Sequence, residues 1–361
     1  MKIAFLTTRL IKYDATSNYT EAVIKKLSEN NKVDIYAFSI ERAIPEGIGR
    51  YNYTKKNKHS LATVFFAIAK IYRLAKNLLK YDIVILVSPD ITILPSAHLA
   101  KRFNPNLKLV WDFHGITPPR FHGSIKQKFL TIIRRFAYSW SIKKSDHIKV
   151  DSNYIKKEIE DNIDKRNVTT LYIGINTNRF KNIDISSLTE KYYLNDKFVM
   201  IYVGRLAASK RIDFLIESMQ AIDEAALLII GDGEERDKLK NLAHSLNLED
   251  KIFFIGRISD EDLPKYYAAA DVFVTASLHE GFCVPIIEAF ASGKPVIVPN
   301  RTAMPEIVGN AGLTYEHESV DDFIYKVTMF RNDCDLRTQL SRNAQERFKE
   351  FDIKNSVESY E

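Results

Sequence analysis

The segment Glu280-Gly281-Phe282-Cys283-Val284-Pro285-Ile286-Ile287-Glu288 sets two carboxylates around a turn and the start of a helix. Pro285 suits the first helical position, so the preceding backbone N–H groups are free donors, and Gly281 permits the tight turn that would aim them inward. With Glu280 on the loop and Glu288 in the first helical turn, both carboxylates can reach one pocket, where they would suit sugar hydroxyls. Taken alone, the segment reads as well as a capping glutamate plus a buried, salt-bridged one. A second set, Gly204-Arg205 followed by Ser209, Lys210 and Arg211, reads as a strand end and then a helix with Ser209 as its N-cap. Cations in a first helical turn oppose the macrodipole, and an anion held between Arg205, Lys210 and the helix terminus would reverse that penalty. A diphosphate has the right size and charge. A pair of solvated charges is the plainer alternative. His114, in Trp111-Asp112-Phe113-His114-Gly115, is a third candidate at a strand end, where a lone histidine is otherwise structural.

The elements that must position these residues are legible in the same chain. Short β-branched runs alternate with helical patterns throughout, the mark of parallel sheets with crossover helices. Strands are expected at 2–7, 32–38, 82–87, 107–112 and 147–150, and again at 198–203, 226–230, 251–255, 271–275 and 295–298. That makes two doubly wound α/β domains, 1–180 and 181–361, with the polar stretch Phe180 to Lys197 as linker and the last helix a candidate to pack back on the first domain. In open parallel sheets ligands sit beyond the carboxyl ends of the strands. In the second half those ends run into Gly204-Arg205, Gly231-Asp232-Gly233, Gly256-Arg257-Ile258 and the Glu280 loop, which converge on one crevice.

Composition narrows the class. A chain of 361 residues with 45% hydrophobic and 27% charged residues is globular and long enough for two cores, which excludes a disordered chain or a disulfide miniprotein. The longest apolar stretch, Ala62 to Ala69, is far short of the roughly 18 residues that span a bilayer. The apolar run at Met1 to Leu6 is too short for a signal peptide, and Cys283 and Cys334 are the only cysteines, so a cytoplasmic setting is expected. Residues 1–180 carry 31 Lys and Arg against 15 Asp and Glu, whereas 181–361 carry 21 against 31. That asymmetry points the first half at an anionic surface. Nucleic acid is the obvious rival partner, but it is not expected, since the sequence shows no helix-turn-helix signature, zinc finger or run of alternating basic and aromatic residues. The basic residues fall in two amphipathic stretches, Lys55 to Lys80 and Lys126 to Lys144. Either could lie on an anionic membrane, in a peripheral contact, or pack its apolar face on a sheet with the basic face in water.

The joint pattern of Tyr202-Val203-Gly204-Arg205-Leu206, Lys210, Gly231-Asp232-Gly233, Glu280-Gly281-Phe282 and Glu288, followed by Gly293-Lys294-Pro295-Val296 and Pro305-Glu306-Ile307-Val308, closely resembles the retaining GT-B glycosyltransferases of family 4, the glycogen-synthase-like group. The likeness is strong over about 165–350 and weak before it. It implies two Rossmann-like domains facing across a cleft, an acceptor-binding first domain and a nucleotide-sugar-binding second one. It also implies that Arg205 and Lys210 hold the donor diphosphate and Glu288 the ribose hydroxyls, with the base near Gly256, Arg257 and Ile258. Glu280 and the backbone of Gly281, Phe282 and Cys283, with the adjoining Val284, are implied to meet the transferred sugar and distal phosphate. His114 takes the role of the family's strand-end histidine beside the donor sugar, which gives His114, Arg205, Lys210 and Glu280 as the catalytic set. Where the family has a glycine pair after the first strand, this chain has Asp14-Ala15-Thr16-Ser17-Asn18, so Thr16, Ser17 and Asn18 are the expected acceptor-side loop.

The expectation is a metal-independent, retaining hexosyltransferase with no cofactor. It would move a sugar from a nucleotide diphosphate sugar to a glycan or lipid-linked acceptor at a membrane face, in polysaccharide or glycoconjugate synthesis. The alternatives are a silent nucleotide-sugar-binding subunit of a larger synthase, and a nucleotide-sugar epimerase or hydrolase on the same fold.

Overall fold

The computed structural model describes residues 1–10, 15–37, 39–40, 48–52, 61–88, 90–116, 118–121, 125–164, 167–180 and 183–360. The chain divides into two compact units, one of Met1–Ile116, Phe129–Ile173 and Lys354–Glu361, the other of Thr117–Lys128 and Gly174–Ile353.

The first unit is built on seven parallel strands: β1 (Lys2–Thr7), β2 (Lys32–Ala37), β3 (Gly49–Asn52), β4 (Ile83–Val87), β5 (Lys108–Phe113), β6 (His147–Val150) and β7 (Val168–Thr170). Their order is β3-β2-β1-β4-β5-β6-β7, so the winding reverses between β1 and β4, where open α/β sheets place their ligands. Runs such as Ile3-Ala4-Phe5-Leu6 and Val84-Ile85-Leu86-Val87 are buried along their length because helices cover both faces. Those helices are α1 (Ala15–Asn30), α2 (Leu61–Leu78), α3 (Leu94–Phe103), α4 (Ile125–Lys144), which belongs to this unit from Phe129 onward, and α5 (Asn153–Ile163). Ser152 caps α5 by accepting the Ile155 N–H at 3.2 Å.

The second unit repeats the winding. Six parallel strands, β8 (Phe198–Val203), β9 (Ala225–Ile230), β10 (Ile252–Gly256), β11 (Val272–Val274), β12 (Val296–Pro299) and β13 (Gly312–Tyr315), lie in the order β10-β9-β8-β11-β12-β13. Around them run α6 (Ser186–Lys191), α7 (Ile212–Ser218), α8 (Arg236–Ser245), α9 (Leu263–Ala269), α10 (Val284–Ala291), α11 (Met304–Val308), α12 (Val320–Asn332) and α13 (Cys334–Phe348). The final helix, α14 (Ile353–Glu358), lies almost wholly in the segment Lys354–Glu361 of the first unit.

The ten strands expected from the sequence form, with ends shifted by a residue or two. Five more form among the described residues: β3, β7 and β13, each a sheet edge of three or four residues, and the two-residue strands Arg9–Leu10 and Ser39–Ile40, which pair with each other. An edge strand lacks the continuous apolar run that two-faced burial imposes. The presumed linker is partly helical. It contains α6, buries Leu188 and Leu194, and stacks Tyr192 edge-on to Phe253 at 5.4 Å. The division between units falls at Ile173 and Gly174 rather than at 180. Residues 174–180 are tied to the second unit by the Ile175 bridge to Asp352 and by Phe180 packing on Tyr267 at 6.2 Å.

Candidate functional site

In the second unit the carboxyl ends of β8, β9 and β10 are clipped together through backbone alone. Gly204 N–H donates to the Ile230 carbonyl at 3.0 Å, Gly231 N–H to Gly256 at 2.9 Å, and Leu206 N–H to Asp232 at 3.0 Å. The clip leaves no room for side chains. At Gly231 the backbone has φ +131°, and a Cβ would lie 1.8 Å from the Gly204 carbonyl oxygen; at Gly233 one would lie 2.2 Å from that of Leu206. Gly256, at φ +83°, has open space around it, with Arg257 exposed and Ile258 half-buried beyond it.

The segment after β8 differs from expectation in a way that changes the electrostatic argument. Ser209 is not an N-cap: it is buried in a 3-10 turn, Ala208–Lys210, and α7 begins only at Ile212, after Arg211 in the left-handed conformation at φ +48°. The Ser209 carbonyl accepts the Leu278 N–H at 2.8 Å, which fastens this turn to the loop after β11. Lys210 therefore precedes the α-helix, and the macrodipole penalty does not apply to it. Its Nζ lies 2.6 Å from Glu280 Oε1, both side chains being mostly buried. Arg211 turns away to Asp213 and Glu318 at 3.1 and 2.6 Å. Arg205 stands in solvent, 60% exposed, with Glu234 at 3.6 Å.

Glu280 is held by its backbone, its N–H donating to Thr302 Oγ1 at 3.2 Å and its carbonyl accepting from Ala303. The helix α10 opens at Val284, with Pro285 second rather than first and Cys283 as N-cap in the left-handed region, φ +74°. Phe282 packs its ring edge-on to Phe351 at 5.9 Å, so only its backbone is available to a ligand. Burial pushes the Cys283 thiol well above its usual pKa, with Glu280 adding to the rise, and the thiol is no nucleophile. Glu280 and Glu288 both act electrostatically on that thiol, yet each has its own partner.

Glu288 lies in the second turn of α10, not the first, and is buried. The Tyr267 hydroxyl donates to its Oε2 at 3.0 Å, and Arg179 approaches its other oxygen to 3.9 Å. Burial raises its carboxyl to about 7, against the opposing pull of Arg179 and the Tyr267 hydrogen bond. Arg179 also reaches Asp260 at 3.8 Å. A carboxyl poised in this way can take a proton or release it to accept two hydroxyl donors.

In the first unit His114 follows β5 and belongs to a buried charge cluster. Its Nδ1 lies 2.6 Å from Asp151 Oδ2; among the described residues its Nε2 has no hydrogen-bond partner, and Asp112 Oδ1 stands 3.8 Å from it. Lys149 Nζ joins the two acids, 2.9 Å from Asp112 Oδ1 and 2.7 Å from Asp151 Oδ1. Burial disfavours the imidazolium, but Asp151 and Asp112 outweigh it and raise the His114 pKa; Asp151 is lowered because His114 and Lys149 overcome its own burial. Tyr360 donates to Asp112 Oδ2 at 3.2 Å, and the Tyr19 ring lies 4.8 Å below the Lys149 ammonium. Asp112, His114 and Asp151 have the spacing of metal ligands, but Lys149 already supplies the positive charge a cation would bring.

Thr16, Ser17 and Asn18 do not form a loop. They are the first turn of α1, with Ser17 buried, and the residues just before, 11–14, lie outside the described ones. Helix propensity without a glycine pair lets α1 start immediately. His122 and His59 also lie outside the described residues. Tyr267, Arg179, Lys149, Asp151 and Tyr360 were missed in the sequence. For Lys149 and Asp151 a signal was there: charges at alternate positions in His147-Ile148-Lys149-Val150-Asp151 share one strand face, as do Asp112 and His114, and buried charges must be paired. The parallel register that sets Asp112 opposite Lys149 completes the pairing. Tyr267 and Arg179 reach Glu288 only through tertiary packing.

Comparison with known proteins places the chain in a family. The family model for glycosyl transferases group 1 matches residues 186–347, and that for glycosyltransferase family 4 matches residues 16–179. An uncharacterised glycosyltransferase of Methanocaldococcus jannaschii is 33% identical over 155 residues, 42% of this chain and 40% of that protein. The O-antigen chain mannosyltransferase B of Escherichia coli is 33% identical over 172 residues, 46% of this chain and 45% of that one. The matched stretch thus spans less than half the length of these two relatives. The crystal structure of HepE from Anabaena in complex with UDP and glucose superposes over 100% of this chain and 98% of its own with a TM-score of 0.80 at 20% identity. Through both family models and a fold shared along its whole length, the chain belongs to the family-4-like glycosyltransferases of the GT-B fold.

Proposed function

We propose that this chain transfers a sugar from a nucleotide diphosphate donor to a glycan or lipid-linked acceptor at a membrane face, with retention and without a bound metal. The observation that carries the donor site is the Lys210–Glu280 pair, 2.6 Å apart at the start of α10, beside strand-end loops whose glycines leave backbone to meet a diphosphate. The complex of the structurally similar HepE with UDP and glucose favours a nucleotide sugar. In this reading Lys210 and Arg205 neutralise the diphosphate, and Glu280 exchanges its bond to Lys210 for bonds to sugar hydroxyls. Glu288 accepts the ribose hydroxyls, and His114 meets the transferred sugar. The anomeric C–O bond to phosphate breaks, the acceptor oxygen bonds to the same carbon on the same face, and the acceptor proton passes to the departing phosphate. Lys210, Arg205 and the first amides of α10 stabilise the charge that develops there. The basic first half supports the membrane-face part; among the described residues no helix is long and apolar enough to cross a membrane.

The test is calorimetric titration with UDP, GDP, ADP, TDP and their sugar conjugates, with and without a chelator, on wild type and on Lys210→Met and Glu288→Ala. One nucleotide should bind, chelator should not matter, and both variants should lose affinity. Once an acceptor is found, Lys210→Met should cost on the order of 10²-fold in turnover, and NMR of the product should show the donor's anomeric configuration. Failure of every nucleotide to bind overturns the reading.

A further inference from the structure

The two basic amphipathic stretches of the first half turn out to be unlike. The described part of α2 is built in the ordinary way: Leu74, Ala75 and Leu78 are buried, while Arg73 and Lys76 face water. Helix α4 is inverted. It buries Thr131, Tyr138, Ser141 and Ile142, three of which carry a hydroxyl, and exposes Ile125, Phe129, Ile132, Ile133, Phe136 and Trp140. At 3.6 residues per turn those six fall within a stripe about 100° wide, on the side of the helix opposite the buried residues. Phe129 is 62% exposed and Phe136 is 79% exposed. Isolated exposed apolar residues are ordinary, but a continuous aromatic and aliphatic stripe marks a surface that is covered in use. The basic residues of α4 flank it. Lys126 and Lys144 lie along one border and Lys128 along the other, Lys143 sits within the stripe at its last turn, and the Lys144 ammonium stacks on the Trp140 ring at 4.9 Å.

We propose that the outer face of α4 is a membrane-docking surface, with its apolar stripe set into the acyl boundary of an anionic bilayer and its lysines at the headgroups. Charge decides the occupant. A second copy of this chain would bring the same lysines against these, since the same surface meets itself in a twofold contact, whereas anionic lipid neutralises them. Polar residues on the buried side and apolar ones outside are the pattern of a helix that lies in an interface while the rest of the unit stays in water. This deepens the membrane-face part of the function proposed above, and its test is separable from donor chemistry.

The chain has two tryptophans, and Trp111 is fully buried, so a change in emission on adding vesicles reports Trp140. Wild type should co-sediment with phosphatidylcholine vesicles containing phosphatidylglycerol, and not with phosphatidylcholine alone. Its emission should shift to the blue, and brominated acyl chains should quench it. High salt should weaken the binding without abolishing it, because part of it is apolar. The doubly substituted Phe129→Ser/Phe136→Ser chain should bind about a hundredfold less, roughly tenfold for each phenylalanine kept from the acyl region, and Lys143→Glu/Lys144→Glu should lose the preference for anionic lipid. Nucleotide binding by both variants should equal that of wild type, so a failed donor site and a failed membrane site give different results. Vesicle binding unchanged by Phe129→Ser/Phe136→Ser overturns the proposal, as does absence of wild-type binding at low salt. So does a concentration-dependent dimer, seen by sedimentation velocity, that the same substitutions dissolve.

Discussion

Glu288→Gln tests the buried carboxyl of α10 through stability alone. In the folded chain Glu288 is raised from 4.5 to about 7, chiefly by burial. Below pH 4.5 the folded and unfolded chains both hold the proton, and the group contributes no pH dependence. Between 4.5 and 7 only the folded chain holds it, so stability falls as pH rises, and above 7 the folded state carries a buried charge that costs about 3 kcal/mol. Glutamine has nearly the same shape, keeps an acceptor for the Tyr267 hydroxyl, and does not titrate. The variant should match wild type at pH 4, exceed it by about 1 kcal/mol at pH 5 and by about 3 kcal/mol at pH 8, the last being roughly 6–12 °C in the melting of a domain of this size. Differential scanning calorimetry of both proteins across that range reads the difference directly, since every other titration is common to the two. A wild-type-minus-variant difference that stays flat from pH 5 to 8 would refute the reasoning and mean that Arg179 keeps Glu288 ionised throughout.

Three further outcomes follow from the same geometry. The His114 pKa, followed by NMR, should lie above 6.5 in wild type and fall below it in Asp151→Asn, where burial prevails; the stabilisation from the pair should be complete below pH 6.5 and vanish as pH rises through the folded value. Lys149→Met should cost about 3–5 kcal/mol by leaving the Asp112 and Asp151 carboxylates buried without their cation, and urea melts at pH 7 should show it. At Cys283 the left-handed backbone costs a side chain about 1–2 kcal/mol, so Cys283→Gly should melt within a few degrees of wild type while Cys283→Val, β-branched at φ +74°, should melt well below it.

Much of this protein is written locally. A parallel strand buried on both faces must be a short β-branched run, so the ten inner or longer strands could be read from the sequence, whereas β3, β7 and β13, at the sheet edges, could not. Residues that follow strand ends and must be glycine, such as Gly231 and Gly233, are legible for the same reason: the close approach of one backbone to another excludes every side chain. The identity of Lys210, Glu280 and Glu288 as candidate residues was likewise available from type and spacing. Their partners were not. Ser209 and Arg211 look like an N-cap and a first-turn cation in any local reading, and only the link from Leu278 to the Ser209 carbonyl and the Arg211 contact with Glu318 show otherwise. Tyr267 and Arg179 come to Glu288 from 21 and 109 residues away, and it is the burial of the carboxyl in the packed fold, against the pull of these two partners, that moves it into the neutral range. Helix α4 makes the same point from the outside. Its periodicity states that one face is apolar, but which face meets the sheet depends on what the rest of the fold can cover, and here the tertiary structure buried Thr131 and Ser141 and left Phe129 and Phe136 in the open.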